Sequence, residues 1–271
     1  MSYFANARMY SINPGAASAW KELFEWLART SGVDLRVIDH AFPAPLSELW
    51  SRPDLGCAFM CGFPYKLTKH PPRPVAAPIP LDAPVPGRPI YATRLVVRAD
   101  SPFRSLEDTF GGRLGYTVED SHSGYNALRH HLLPYRRQNG GNLLYRESIG
   151  PLTTPRRVIE AILAGGIDIG PLDSYALGLM QHHDSDLAAQ IRVVATTDSA
   201  PIPFLVASRE CPEEVVASLW TALAKFGDVA ACGDLRERLC LQGFAPVAIT
   251  DYDLMLRWDA EARAAGYAHP G

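Results

Sequence analysis

From Asp120 to Tyr125 the chain reads Asp-Ser-His-Ser-Gly-Tyr, between a short β-rich segment and a run with helical spacing. A helix N-terminus leaves four backbone N–H groups without intrahelical partners and carries a partial positive charge. Ser121 and Ser123 add two hydroxyl donors, and Gly124 opens the backbone to close approach. Together these suit an oxyanion: phosphate, phosphonate, sulfonate or carboxylate. The same residues also suit a plain serine N-cap, worth about 1 kcal/mol. The lack of a nearby lysine and of the GxxxxGK[ST] pattern argues against a nucleotide P-loop.

Other candidate groups come from the ends of strand-like segments, where open parallel sheets bind ligands. They are Met9-Tyr10-Ser11, the Cys61-Gly62-Phe63-Pro64-Tyr65 loop and Asp173-Ser174-Tyr175. His122 has the chemistry of a general base, but its place in a turn predicts solvent exposure. Cys61 has the chemistry of a nucleophile, but a buried thiol is the commoner outcome. There is no GxSxG elbow and no zinc-ligand spacing among the eight histidines, so neither a catalytic residue nor a metal or cofactor is expected.

These groups need elements to hold them. Ala16–Thr30 places Trp20, Leu23, Phe24 and Leu27 at the 3/4 spacing of an amphipathic helix. Strands are predicted at Ala5–Ser11, Asp34–Ile38, Leu55–Met60, Ile90–Arg98, Arg113–Thr117, Leu143–Ser148, Ile167–Leu172, Ile191–Ala195 and Phe204–Ala207. Helices are predicted at Leu46–Trp50, Leu106–Phe110, Ser123–Leu133, Pro155–Ala164 and Ser174–His182, and everything after Pro212 reads as helical. The proline-rich stretch Pro71–Pro89 cannot be an ordinary helix, and its best extended piece is Val75–Pro80. This alternation implies an α/β fold with mostly parallel sheets. Breaks near Arg98–Pro102 and Asp198–Pro203 divide it into residues 1–95 plus 204–271 and residues 96–203. Two lobes joined by two crossovers make a hinged clamshell with a cleft.

Composition narrows the class. With 271 residues, 47% of them hydrophobic, the chain can fill one large core or two modest ones. A net charge of -3 with no basic stripe argues against nucleic acid. Five unpatterned cysteines without CxxC suit a reducing compartment, with room for one disulfide such as Cys232–Cys240. The N-terminus, MSYFANARMYSINPG, does not read as a secretory signal, and no stretch approaches the length of a membrane helix.

Three segments carry a resemblance: Ala92–Leu132, Val158–Tyr175 and the Cys61–Tyr65 loop, with Ser121–Tyr125 the most specific. The chain resembles the phosphate/phosphite/phosphonate-type substrate-binding proteins of ABC transporters, which have the type II periplasmic-binding-protein fold. The resemblance implies two lobes that close on a small anionic ligand and present the closed form to the transporter's membrane subunits. It implies that Ser121, Ser123, Gly124 and Tyr125 hold the anionic head, with Asp173 and Ser174 beside it. Tyr10 and the Phe63–Tyr65 loop would contribute from the first lobe. Asp173 would pair with a ligand amino group, or serve only as a helix N-cap. Relatives of the same fold bind sulfonates and thiamine-type pyrimidines, for which Tyr10, Phe63, Tyr65, Tyr91 and Tyr125 would form an aromatic cage, or else pack in the core.

The resemblance implies a periplasmic location, and a monomer is expected. The N-terminus, taken as complete, points instead to the cytoplasm and keeps a cytoplasmic enzyme or ligand sensor as the alternative. Replacing Ser123 and Tyr125 together by alanine is expected to abolish ligand binding with the fold intact.

Overall fold

The structure is a computed structural model and describes residues 2–40 and 42–270. Its contacts divide the chain into two units, Met1–Ile90 with Pro201–Thr250, and Tyr91–Ala200 with Asp251–Gly271. The chain therefore passes between units three times rather than twice. The terminal stretch expected with the first lobe groups with the second. The reason is packing: helix Asp253–Ala264 buries Met255, Trp258 and Ala262 and lies along helix Ala127–Gln138.

The first unit is built on a six-stranded sheet in the order Leu241–Ala245, Arg73–Pro80, Phe204–Ala207, Leu55–Met60, Tyr3–Asn6, Leu35–Val37. Leu55–Met60 is buried along its whole length, as its unbroken apolar run requires. Tyr3–Asn6 pairs in parallel with both of its neighbours, and the remaining pairings are antiparallel. The sheet is thus mixed, correcting the expectation of mostly parallel sheets. Helix Pro14–Ser31 starts where Asn13 accepts a hydrogen bond from the Ala16 N–H and Pro14 fills the first turn. It buries Trp20, Leu23, Phe24 and Leu27 as predicted, with Trp20 edge-on to Phe59 at 4.8 Å.

Two parts of this sheet differ from the sequence reading. The proline-rich strand runs from Arg73 to Pro80 and lies between two neighbours, a rare place for proline. A bulge in its pairing with Phe204–Ala207 skips Val75, so the ladder is interrupted beside Pro74. The two pairings are also staggered: Phe204–Ala207 takes Arg73, Pro74 and Ala76, and Leu241–Ala245 takes residues 77–80. Leu241–Ala245 is itself a strand within the stretch read as wholly helical. Gly243 interrupts its apolar pattern and packs against Gly227, hiding the signal. Within the same stretch, residues 228–239 form a short turn, Ala230–Cys232, followed by helix Gly233–Arg238 rather than one continuous helix.

The second unit holds an antiparallel sheet in the order Ile191–Thr196, Thr93–Arg98, Gly170–Asp173. A parallel pair, Arg113–Gly115 with Glu147–Ile149, joins it through a bridge from Leu114 to Ile169. Its core collects Leu95, Val97, Leu114, Leu128, Leu132 and Ile169. The predicted strand Ile90–Arg98 is broken at Ala92. Ala92 gives its N–H to the Ser174 hydroxyl and its carbonyl to the Ser174 N–H. Among the described residues no single helix is long and apolar enough to cross a membrane. None of the five cysteines is in a disulfide with another, and burial pushes the Cys240 thiol up to about 11.

Candidate functional site

The strand Arg113–Gly115 delivers the chain through Thr117 to Ser121, where a π-helical turn, His122–Asn126, opens helix Ala127–Gln138. The wide turn is closed by the Asn126 N–H donating to the Ser121 carbonyl five residues back, at 3.0 Å. Ser121 is the cap: its hydroxyl accepts from the Gly124 N–H at 3.0 Å. The Ser123 carbonyl accepts from the Thr93 hydroxyl at 3.0 Å, and no described residue holds the Ser123 hydroxyl. Ser123 is half-buried, so that hydroxyl is the turn's ready donor.

Gly124 has a different reason from the one its sequence suggested. A Cβ there would stand 1.8 Å from Thr117 Oγ1 and 2.8 Å from Thr117 Cβ. The glycine is required by the Thr117 side chain packed behind it, whether or not a ligand approaches. The Thr117 N–H donates to the Gly124 carbonyl at 3.2 Å, which holds the two segments in contact. Thr117 is 6% exposed, and its hydroxyl has no hydrogen-bond partner among the described residues. Thr153 leans on the same segment. Its N–H donates to the Thr117 carbonyl at 3.1 Å, and it holds φ at 66°, a left-handed conformation costly for a β-branched residue.

His122, expected to be exposed, is only 1% so. Its ring stacks on Trp258 at 5.3 Å, and the His130 ring stacks on the same indole at 4.5 Å. Burial, reinforced by His130, holds the His122 pKa down to about 3, so the imidazole is neutral. Its tautomer follows from Asn126. That side chain donates from Nδ2 to the Met255 carbonyl at 2.8 Å and accepts at Oδ1 from Arg129, which fixes the amide. Nδ2 therefore also donates to His122 Nδ1, at 3.2 Å, and the His122 proton sits on Nε2. That Nε2–H is buried and has no partner among the described residues.

Tyr125 points its hydroxyl at the C-terminal segment, donating to the Ala268 carbonyl at 2.9 Å beside His269 Nδ1. Its ring is covered by the Arg129 guanidinium at 4.7 Å and meets Tyr116 edge-on. Burial pushes its pKa up to about 12. Arg129 is itself 1% exposed and pairs with Asp259. Burial alone would raise the Asp259 pKa, but hydrogen bonds from Arg129 and Arg263 outweigh it and hold it below the usual range.

Asp173 caps helix Ser174–His183, one carboxylate oxygen accepting from the Tyr175 and Ala176 N–H groups at 2.8 and 3.0 Å. Ser174 is tied to Ala92. Tyr91 lies 6.3 Å from the His122 ring and is fully buried.

The first unit carries Tyr10, Phe63 and Tyr65, all buried. Tyr10 sits in a turn, its N–H donating to the Ala7 carbonyl, because the strand ends at Asn6 rather than reaching Ser11. Its ring packs edge-on against Phe59 at 4.8 Å, and that of Tyr65 against Phe204 at 5.0 Å. Core packing thus accounts for both rings. Sequence reasoning did not single out Thr93, Thr117, Asn126, Arg129 and Thr153. The one local signal was a β-branched residue, Thr117, at the end of the strand that feeds the turn.

Residues 13–252 match the family of phosphonate ABC transporter periplasmic substrate-binding proteins. No curated protein matches in sequence. Among solved structures, a binding protein component of an ABC phosphonate transporter from Pseudomonas aeruginosa superposes with a TM-score of 0.81 at 14% identity, over 98% of this chain and 88% of that one. PhnD1 from Prochlorococcus marinus, in complex with methylphosphonate, gives 0.76 at 12%, over 97% and 98%. The periplasmic binding protein BugD gives 0.64 at 12%, over 100% and 99%. At these identities the likeness shows the fold, which is that of type II periplasmic binding proteins, and the relatives are binding proteins rather than enzymes. With its sequence match spanning most of its length, the chain belongs to the family of periplasmic substrate-binding proteins of ABC phosphonate transporters.

Proposed function

We propose that this chain captures a small phosphonate-type oxyanion at the turn Ser121–Tyr125 and delivers it, as a periplasmic monomer, to the membrane subunits of its ABC transporter. The observation that carries the reading is that the turn and the segment packed on it hold three donors with no described partner: the Ser123 hydroxyl, and the buried Thr117 hydroxyl and His122 Nε2–H. Buried polar groups are nearly always hydrogen-bonded, so donors without partners beside an N-terminal turn mark where an acceptor belongs. Hinge closure then follows from differential affinity: a ligand that touches both units favours the state in which both can touch it. Asp173, whose carboxylate caps its own helix, supports the phosphonate head better than it supports an amino-group contact.

A thermal shift screen tests this. The panel holds phosphate, phosphite, methyl- and aminoethylphosphonate, taurine and thiamine pyrimidines. A ligand at about 100 times its Kd adds about 2.7 kcal/mol, which for a chain of this size raises Tm by roughly 5–10 °C. A phosphonate hit, lost in Ser123→Ala, supports the site. A response to pyrimidines alone overturns it.

A further inference from the structure

Among the described residues, two besides glycine hold a left-handed φ: Cys240 at 50° and Thr153 at 66°. Cys240 follows helix Gly233–Arg238, and a left-handed residue is a common way to stop a helix. Thr153 has no such reason. It stands before a helix, Pro155–Leu163, whose cap is the next residue: the Thr154 hydroxyl accepts from the Arg157 N–H at 3.3 Å. A β-branched side chain suits this conformation badly, whereas glycine takes it freely. The loop is nevertheless pinned in place. The Tyr116 N–H donates to the Ile149 carbonyl at 3.0 Å, the Leu152 N–H to the Tyr116 carbonyl at 3.0 Å, and the Thr153 N–H to the Thr117 carbonyl at 3.1 Å. A Cβ on Gly150 would stand 2.6 Å from the Tyr116 ring, so the loop lies directly on that segment.

Thr117 ties this loop to the Ser121–Tyr125 turn, since its N–H goes to the Gly124 carbonyl and its own carbonyl takes Thr153. Its hydroxyl is buried against Gly124 and has no described partner. The Thr153 side chain is half-buried, and its hydroxyl is bonded to no described residue. A residue held in a costly conformation, with a polar group left over, is a feature that collects at ligand clamps. We propose that Thr153 is a ligand-contacting residue, its hydroxyl donating to the oxyanion held at the Ser121–Tyr125 turn. This rests on the reading of the site given above and adds a second segment of the same unit to it. Thr117 then stands between two hydroxyls that converge on one anion, Ser123 from the turn and Thr153 from the loop.

Calorimetry of the full chain with methylphosphonate, paired with thermal unfolding of the same preparations, tests it. Thr153→Val keeps the branched shape and removes the hydroxyl. It should weaken binding roughly 10- to 150-fold, the loss of one hydrogen bond to a charged oxygen, and leave the unfolding midpoint nearly unchanged. Thr153→Ser returns the hydroxyl and should recover most of the affinity lost in the valine variant. Thr153→Gly should drive the two readouts apart: the midpoint rises by about 2–4 °C as the strain is relieved, while affinity falls as it does with valine. A residue that serves only the loop's own structure would not give that divergence. A Thr153→Gly protein that loses stability and affinity together therefore overturns the inference. So does a Thr153→Val protein that binds as well as the native chain. If Thr153→Val binds normally while Ser123→Ala does not, the site reading stands and this inference alone fails. If the native chain does not bind methylphosphonate at all, the site reading fails and the inference fails with it.

Discussion

The second unit contains two helix starts written almost alike, Asp120-Ser121-His122 and Asp173-Ser174-Tyr175. At the second, the aspartate is the cap. One carboxylate oxygen takes two N–H groups, and the following serine is consumed by Ala92. At the first, the frame moves by one residue: the serine is the cap and takes one N–H, while the aspartate lies outside it. A carboxylate seals a helix end, supplying the negative charge that the dipole attracts. A hydroxyl satisfies one donor, and the proposal above assigns the rest to a ligand. A single-residue shift in capping thus separates a closed terminus from an open one.

The largest expected effect comes from what stands behind the open cap. Arg129, on the helix that the turn begins, is buried against Asp259, and removing one partner of a buried pair strands the other. Asp259→Ala should cost about 3–5 kcal/mol in denaturant unfolding. The same pair gives a pH signature. The folded-state pKa of Asp259 is depressed, so its contribution is fully present above the unfolded carboxylate pKa and is lost as pH falls through the folded value. Unfolding midpoints measured down the acid range should therefore drop less steeply in Asp259→Ala than in the native chain. Equal slopes would mean that Asp259 does not support the open cap.

Next in size is Gly124→Ala, which sharpens the contrast by asking whether the open turn tolerates any bulk. With 1.8 Å to Thr117 Oγ1, the methyl forces backbone movement, at a cost of about 1–3 kcal/mol or more. Thr117→Ala in the same chain should restore part of the lost stability, because it removes the closest atom. Full stability in Gly124→Ala alone would contradict the packing described. Smaller again is the closed cap. Asp173→Ala should cost about 0.5–2 kcal/mol and leave the Kd of any ligand at the Ser121 turn unchanged, since its effect is confined to its own helix. A large loss of affinity would reopen Asp173 as a ligand group.

Much of this was legible from residue types and spacing. The amphipathic face of Pro14–Ser31 and the buried run Leu55–Met60 follow from periodicity, and the hydroxyl-rich turn was visible, although Ser121 proves to be the helix cap and only Ser123 keeps a hydroxyl without a described partner. What was not legible is tertiary in origin. Leu241–Ala245 is a strand because a neighbour with few donors accepts it, and its own pattern is broken by Gly243. Helix Asp253–Ala264 groups with the second unit through Trp258, which stacks on two histidines far away in sequence. His122 looked like a surface residue because its neighbours are polar. A π-helical turn places it in the interior, and neither composition nor spacing announces such a turn. The same interior network claims the Tyr125 hydroxyl, so the double replacement of Ser123 and Tyr125 would also cut the tie to Ala268 and destabilise the fold.

Ser123→Ala alone is therefore the cleaner and smallest perturbation. The side chain is half-buried and bonded to no described residue, and the helix cap belongs to Ser121, so stability should change by no more than about 0.5 kcal/mol. Losing one hydrogen bond to a charged oxygen costs about 1.5–3 kcal/mol, which would weaken oxyanion binding roughly 10- to 150-fold. Ser121→Ala is the counterpart. It should lower stability by about 0.5–2 kcal/mol through the lost cap, and weaken binding only insofar as the turn loosens. Calorimetry with methylphosphonate, paired with unfolding curves for both variants, separates the two roles. A Ser123→Ala protein that binds as well as the native chain would show that the hydroxyl left over at the open cap is not the one the ligand uses.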